Sequence, residues 1–527
     1  MNDRLGAASN HQSTDAHRVR YSFLCETLAD QYVVGALEGV EALDTPYRMT
    51  IGLEAAQPET DATELLGRDA VLVIERDAYQ RYFHGVIARV TVHDHEHREA
   101  STVELVPALE ALALTRDSRI FQDLSALDIV ERVLGEGLAP YGRSIDATLL
   151  HRERYLIRDY CVQYGETSLD FVQRLLAEDG IGYYFQHDET GPETLVLFDE
   201  SPRLSRAETL DSGAVRFEPV GRAWSGSEPI VGFETSVSVV ASKVTVRDHD
   251  WARGRSRVEA EAGVDARASR HRHDHESYEH GFARASTIRE DDEALATMVA
   301  ALVRAALPHG TPAGMPFRVI DLPGAVVDGF TSNDASHQAG VRAQRVNRDA
   351  VTGHGVGLVC GFAPGTLFEL VGHTTLGVDG EYLLTRVTHS STPMSGSEHA
   401  GGSTTVEGAN YSNRFDCIPR AVPWRPARRA PKPRIYGVQT ATVTGPMGMD
   451  VHTDQHGRIK VRFPWDRAPE DVSGNHTCWL RVAQTWAGSG APGFVFIPRV
   501  GMEVVVSFVD GVQMHQFCGT AWTGRVR

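Results

Sequence analysis

Closely spaced cysteines are missing: the six present, Cys25, Cys161, Cys360, Cys417, Cys478 and Cys518, form no CxxC pair. A zinc ribbon or a small disulfide scaffold needs such spacing, so neither is expected and reduced, mostly buried thiols are. Long hydrophobic runs are missing too. No stretch reaches the roughly 18 apolar residues of a membrane span, and the N-terminus, MNDRLGAASNHQSTDAH, lacks the apolar core of a signal peptide. Assembly in the cytoplasm is therefore expected, with any secretion or injection into a target cell by a route that ignores signal peptides. Positive charge is scarce, since 52 Lys and Arg face 70 Asp and Glu for a net charge of -18. Such a surface repels phosphate backbones, which argues against a nucleic-acid partner. The sequence has no Walker loop, GxSxG elbow or HExxH motif; His275-Glu276 is followed at the required position by Glu279.

A chain of 527 residues exceeds what one core organises, so three or four modules are expected. Hydrophobic residues at 42% and charged ones at 23% supply enough apolar material for sizeable cores and exclude global disorder. Residues 1–18 read as a flexible polar tail. From 19 to 115, alternating runs such as AVLVIE (Ala70–Glu75) and HGVIARVTV (His84–Val92) predict a first β-barrel. Residues 116–230 change period. Ser125 with Asp128 caps a helix whose apolar face is Ile129, Val130, Val133 and Leu134 and which should stop at Gly135; Thr167 with Asp170 caps another that should stop at Gly180. YYF (Tyr183–Phe185) and LVLF (Leu195–Phe198) follow as strands. Residues 231–417 return to strands at VTV (Val244–Val246), LFELVG (Leu367–Gly372) and EYLLTRVTH (Glu381–His389), with an Ala-rich helix at about 291–307 ending before Pro308.

The clearest boundary is a linker at 418–435, where Pro419, Pro423, Pro426, Pro431 and Pro433 alternate with arginines and no acid offsets them. Fixed proline torsions and self-repelling charge make it extended. It is either a solvated tether or a strap lying across an acidic neighbouring surface. Residues 436–527 read as an OB-like barrel. In GRIKVRF, Ile459, Val461 and Phe463 should pack while Arg458, Lys460 and Arg462 meet water; EVVVSF (Glu503–Phe508), apolar in both phases, reads as a more fully buried strand.

Three segments of this last module, VHTDQHGRIKVRFPWDR (Val451–Arg467), CWLRVAQTWAGSG (Cys478–Gly490) and GFVFIPRVGMEVVVSFVDG (Gly493–Gly511), resemble in order and spacing the OB domain of VgrG spike proteins of type VI secretion systems. Upstream matches are SRIFQD (Ser118–Asp123), Tyr160–Phe185, KVTVRDHDW (Lys243–Trp251) and Tyr411–Pro446. The resemblance carries Gly457, Arg458, Lys460, Phe463, Trp465, Asp466, Trp479, Arg481, Trp486, Gly488, Pro498, Arg499 and Gly501 as structural signature positions, with no catalytic role. It implies a mainly β chain with inserted helices (α+β): two β-barrel-like hub domains, then an OB-fold domain. It also implies a homotrimer related to contractile phage tail hubs, capping an Hcp-like hexameric tube, with a PAAR-like tip, effector delivery and purely mechanical contact with a target membrane. A C-terminal β-helix needle is not found before Arg527, and GVQMHQ (Gly511–Gln516) replaces the usual Asp-Pro-Asp turn. The alternative in the same mechanical class is a baseplate hub of a phage-derived particle.

Two rivals come from other classes. HDHEH (His93–His97) and HRHDH (His271–His275) place histidines at alternate positions, as a metal-dependent hydrolase could, but both sit among charged residues near strand ends and read as solvated hairpins. Trp465, Trp479 and Trp486 with Arg458, Lys460 and Arg462 could bind single-stranded nucleic acid; barrel core and subunit contacts are the favoured reading. No enzyme, cofactor or metal is expected.

Overall fold

The computed structural model describes residues 19–25, 32–55, 61–76, 79–93, 100–158, 160–209, 213–219, 228–249, 257–264, 274–280, 327–391, 411–454, 457–469, 476–477, 479–484, 496–508 and 516–519. The polar tail, the Ala-rich stretch at 291–307, Trp486, Gly488 and the turn at 511–515 lie outside them.

Six strands open the chain: β1 (Arg20–Cys25), β2 (Tyr32–Ala42), β3 (Thr45–Ala55), β4 (Asp69–Arg76), β5 (Tyr79–His93) and β6 (Ala100–Val106). They pair antiparallel in the order β1-β4-β5-β6-β3-β2. Alternation turns Met49, Ile51, Leu53, Leu72, Ile74, Phe83, Ile87, Val103 and Leu105 into one core, which makes the curled sheet barrel-like.

The next segment holds β7 (Arg116–Phe121), β8 (Leu124–Ser125), α1 (Ala126–Leu138), β9 (Ser144–Leu149), β10 (Ile157–Arg158), β11 (Cys161–Thr167), α2 (Ser168–Asp179), β12 (Gly182–Gln186) and β13 (Thr194–Phe198). The caps are those expected: Ser125 and Asp128 exchange side-chain and backbone hydrogen bonds, and the Thr167 hydroxyl accepts from Asp170 N. The predicted stop of α1 at Gly135 is corrected, for the helix runs on to Leu138. Gly135 faces open space and costs only propensity, whereas Pro140 lacks the amide that a further turn needs. Both helices bury their apolar faces in a separate core with Phe121, Ile129, Val133, Phe171, Leu175 and Leu197.

A second barrel-like unit is built from β14 (Ala214–Arg216), β15 (Ile230–Val237), β19 (Val351–Gly357), β20 (Leu367–Val371), β21 (Gly380–Ser391) and β22 (Tyr411–Pro419). Pairing runs β15-β19-β22-β21-β20-β14, and a bridge from Phe217 to Ile230, with Glu218 N donating to Ile230 O at 2.9 Å, brings its ends together. Its core stacks Phe362, Phe368, Tyr382 and Phe415. β2 also pairs with β21, from Glu38 opposite Ser390 to Ala42 opposite Arg386, so both units share one 12-stranded sheet.

Between β15 and β19 lies a small layer of β16 (Lys243–His249), β17 (Arg257–Gly263) and β18 (Glu276–His280), covered by α3 (Val327–Arg348). The sequence reading did not anticipate α3. Its buried stripe is Ala335, Ala339 and Ala343, too small to register as hydrophobic periodicity, yet small side chains let the helix approach Val244 and Val246 closely.

The last module has β23 (Val438–Thr444), β24 (Lys460–Arg462), β25 (Arg481–Val482), β26 (Glu503–Phe508) and β27 (Gln516–Gly519), ordered β24-β23-β26-β27-β25. Ile459, Val461 and Phe463 are buried as expected. Two expectations are corrected. Arg458 is itself buried, because its Nε turns back to the Asp454 carboxylate at 2.5 Å. β26 alternates, with Val504, Val506 and Phe508 inside and Glu503 and Ser507 exposed, since the outer wall of a small barrel meets water.

Gly180 has φ +73, and a Cβ there would lie 2.8 Å from Val341 Cγ1 of α3. Gly180→Ala is expected to destabilise by about 2–4 kcal/mol, combining left-handed backbone strain with overpacking, measurable as a lower urea midpoint with an unchanged slope.

Candidate functional site: a strap across the hub

Of the two linker expectations, tether or strap, the contacts describe a strap. Pro419 closes β22 opposite Tyr382, and Arg420 Nη1 bonds Glu381 at 2.7 Å. Trp424 Nε1 donates to Asp44 Oδ2 at 2.8 Å, its backbone N to Ser201 Oγ at 3.0 Å, and the Arg348 guanidinium sits 4.7 Å from its ring centroid. Arg425 Nη1 donates to Gly180 O and its Nε to Gln344 Oε1, both at 2.7 Å. The carbonyls of Arg425 and Pro426 accept from Arg348 and Arg345 at 2.6 Å. Arg428 Nη1 reaches Glu279 Oε1 at 2.7 Å, Arg429 the carbonyl of Asp44 at 3.3 Å, and Lys432 Nζ lies 3.6 Å from Glu178 Oε1. Ile435 then enters the OB core. Prolines suit this path because each frees the strap of an amide that would need its own partner. Pro423 and Pro433 are half-buried along this path and Pro431 is exposed.

Besides Glu381, three carboxylates receive the strap, two of them shifted down and one shifted up. Burial of Glu178 would raise its pKa, but Lys432, Arg158 and Arg174 outweigh that and hold it well below the usual carboxylate range. Arg158 bonds Glu178 at 2.9 Å and Asp179 at 3.2 Å, while Arg174 bonds Glu166 at 2.6 Å and Glu178 at 3.3 Å. Glu279 on β18 is likewise carried to about 2, since Arg342 and Arg428 overcome its partial burial. Asp44, in the β2–β3 turn at φ +58, goes the other way: burial raises it to about 6 despite hydrogen bonds from Tyr183 N and Trp424. The cations crowd one another too, and burial together with Arg428, Arg342 and Arg348 lowers Arg345 to about 9.

The OB module docks on the helical insert next to the strap. Gln439 donates to Tyr164 Oη at 2.7 Å and accepts from Trp465 Nε1 at 3.0 Å, while the Tyr164 and Trp465 rings meet edge to face at 5.4 Å. Arg467 lies 3.5 Å from Asp117.

The signature positions fall in this module as follows. Gly457 (φ +70) and Arg458 form the turn closed by Asp454. Lys460 Nζ sits 5.0 Å over Trp479, which also faces His452. Phe463 stacks on Trp465 at 5.0 Å. Asp466 is buried, 3.5 Å from His476. Arg481 lies on β25, with its pKa lowered by burial and by Arg458. Pro498 is buried, Arg499 is exposed and Gly501 (φ +87) turns the chain into β26, donating to Val443 O at 2.9 Å. Those among the described residues are spread over one barrel; Trp486 and Gly488 lie outside the described residues. His93 is exposed, 2.8 Å from Thr102 Oγ1; His95, His97, His271 and His273 lie outside the described residues. Among the described residues no group of three or more metal-ligating side chains gathers, and Cys25, Cys161, Cys360 and Cys417 are buried.

Sequence reasoning missed Asp44, Glu178 and Glu279, as well as a buried lattice between the barrels. There Glu41 accepts from Arg81 and His389 (2.7 Å), and His389 bonds Tyr411 at 2.7 Å. Arg81 carried a signal, since it occupies the inward phase of β5 with Phe83. The others had none, because their partners are far away in sequence.

Residues 40–393 match the phage tail baseplate hub (GPD) family, and residues 441–519 the type VI secretion system/phage-baseplate injector OB domain. The chain belongs to the phage tail baseplate hub family. The likeness to VgrG spike proteins is equally extensive. The type VI secretion system spike protein VgrG4b of Pseudomonas aeruginosa is 32% identical over 508 residues, which is 94% of this chain and 55% of that one. The chain thus spans about half the length of the curated relatives it matches. In fold it is similar to the E. coli c3393 protein, described as a type VI secretion component with structural similarity to the bacteriophage T4 tail proteins gp27 and gp5 (TM-score 0.58, 20% identity, 94% of this chain and 99% of that chain). It is also similar to a chain of the Francisella PdpA-VgrG complex (TM-score 0.53, 8% identity, 94% and 68%).

Two predictions follow from the charge pattern. The folded-state pKa of Asp44 lies above its ordinary 3.8, so its contribution is complete below about pH 4 and fades as pH rises through about 6. Relative to Asp44→Asn, the natural chain should lose about 2 kcal/mol between those limits, read from denaturation midpoints across pH 4–7. Glu279→Ala removes the acceptor shared by Arg342 and Arg428 and should speed amide exchange in α3 and the strap while leaving β23 and β26 unchanged.

Proposed function

We propose that the chain is the hub and OB portion of a type VI spike, working as a homotrimer and mechanically. The observation that carries this reading is the strap: it fixes two fused barrel-like units and an OB barrel into one body, as axial load transmission requires. Two barrel-like units per chain, taken three times, give the pseudo-sixfold ring that would seat on an Hcp-like hexameric tube. The division would be 19–115 and 231–417 for the hub barrels, 116–230 for the helical insert, 418–435 for the strap and 436–527 for the OB domain, with the signature residues acting structurally. A PAAR-like tip and an effector complete the assembly, which forms in the cytoplasm and is then exported into a target cell. The complex of PdpA with a VgrG supports partner binding by such bodies. The identification with spike proteins supports a non-enzymatic role.

Stiffness without chemistry has a physical basis here. Barrel-like sheets leave few free strand edges to peel, and the strap adds anchors on both sides of its path, with Arg425 buried against Gly180 O and Gln344 and Trp424 bonded to Asp44.

Light scattering combined with electron microscopy tests the reading. A mass of three chains and a ring-shaped particle with threefold symmetry are expected; a strictly monomeric product at high concentration, with no binding to an Hcp-like tube, would overturn it.

A further inference from the structure

The hub contains the same sheet twice. The series β2-β3-β6-β5-β4-β1 and β15-β19-β22-β21-β20-β14 share one neighbour order and one order along the chain. Their outermost pairs differ, since β1 joins β4 antiparallel and β14 joins β20 parallel. Irregularities fall at matching places: Val34/Ala36 and Ile87/Arg89 in the first unit, Ile230/Gly232 and Leu384/Arg386 in the second. Ile87 exchanges backbone hydrogen bonds with Gly67 and Arg68 at 2.9 and 3.0 Å, and Leu384 does so with Gly365 and Thr366 at 3.0 and 2.9 Å. These anchors align the units residue by residue. Glu38, Thr50, Glu104 and Arg89 stand opposite one another in one row. Glu234, His354, Asp416 and Arg386 form its counterpart.

A single chain fills one of the two seams that this repeat makes possible. β4 covers β5 as far as Val86, as β20 covers β21 as far as Leu383. Beyond that point β21 takes β2, with Glu38 opposite Ser390, Ala42 opposite Arg386 and Leu43 N donating to Thr385 O at 2.9 Å. The matching stretch of β5, residues 88–93, has β6 on one side and, among the described residues, no strand on the other. β15, the counterpart of β2, ends the sheet, and beyond Ile230 no described strand pairs with its second edge. The side chains differ accordingly. Val237 and Val239 are 72% and 68% exposed and Val92 is 52% exposed, whereas their counterparts Glu41, Leu43 and His389 are buried at the filled seam.

We propose that residues 234–239 of one copy add as an antiparallel strand to residues 88–93 of the next, repeating between chains the seam that β2 and β21 make within one. The register carries over: Glu234 stands opposite His93, Ser236 opposite Thr91 and Ser238 opposite Arg89 of the next copy. Across the filled seam Glu41 Oε1 meets His389 Nε2 at 2.7 Å. At the corresponding place Val237 meets Val92 of the next copy, so that two exposed valines are buried together. The occupant is a second copy because this chain carries both the free strand and the edge that matches it. Such a head-to-tail contact uses two different surfaces and propagates until it closes. The inference rests on the trimer proposed above, which sets closure at three.

Disulfide capture tests the register. Ser236 and Thr91 are exposed, and alternation from the Leu43–Thr385 bond makes them a non-hydrogen-bonded pair with Cβ atoms about 4.5 Å apart, within reach of a disulfide. Ser236→Cys/Thr91→Cys should give a covalent product of three chains on mild oxidation, seen on a non-reducing gel. Glu234→Cys/Arg89→Cys, four residues out of register and about 13 Å apart, should give none. Val237→Lys should weaken association at least tenfold by light scattering. Three-chain particles that form under reducing conditions, yet leave the first variant without crosslinks, overturn the proposal and spare the trimer. Equal crosslinking in both double variants, or unchanged association of Val237→Lys, overturns it as well. Crosslinking of the first variant into pairs or open chains supports the seam and overturns closure at three. A monomer at high concentration with no crosslink overturns both.

Discussion

Polar groups that cross a packed surface must find partners there, and this constraint organises the molecule around its strap. A buried polar group left without a partner costs about 1–3 kcal/mol, so each anchored strap residue sits where a partner is fixed elsewhere: Trp424 at Asp44, Arg425 at Gly180 O and Gln344, Arg428 at Glu279 and Lys432 at Glu178. Glu178 stands at the end of α2, Glu279 on β18 and Asp44 in the β2–β3 turn. Each belongs to a different packing unit. The strap is thereby held at points that no single hydrophobic core could supply, and the OB barrel is placed where Gln439 and Trp465 meet Tyr164.

The two barrel-like units depend on a second polar lattice of the same logic. Glu41 on β2, Arg81 on β5 and His389 on β21 meet where the shared sheet passes from one unit to the next. Burial lowers the His389 pKa even though Glu41 raises it, so the ring serves as a neutral hydrogen-bonding bridge between Glu41 and Tyr411. Polar groups buried in this way fix register, because a slipped strand would leave each of them without a partner.

Local signals were legible in the sequence and distant ones were not. Caps at Ser125 and Thr167, the alternation of Ile459, Val461 and Phe463 and the proline-arginine composition of the linker are all written within a few residues. The fusion of β2 with β21 joins segments whose pairing no local pattern encodes. Helix α3 was hidden by its own chemistry, since a stripe of alanines packs tightly while contributing little hydropathy. Arg458 was misplaced outward because alternation records only the phase of a side chain; a long arginine can turn back to Asp454 within its own turn. The strap's acids lie far from it in sequence, so its cations could be read but their destinations could not.

The β2–β21 seam also bears on the order in which the chain can mature. β2 emerges early from the ribosome, yet its neighbour across the seam begins at Gly380. Until then the first barrel carries an open edge at Glu38–Ala42, with backbone groups ready to pair with any passing strand. Closure of that edge must await most of the hub's synthesis, and the strap, following directly after β22, can fasten only a sheet that is already complete.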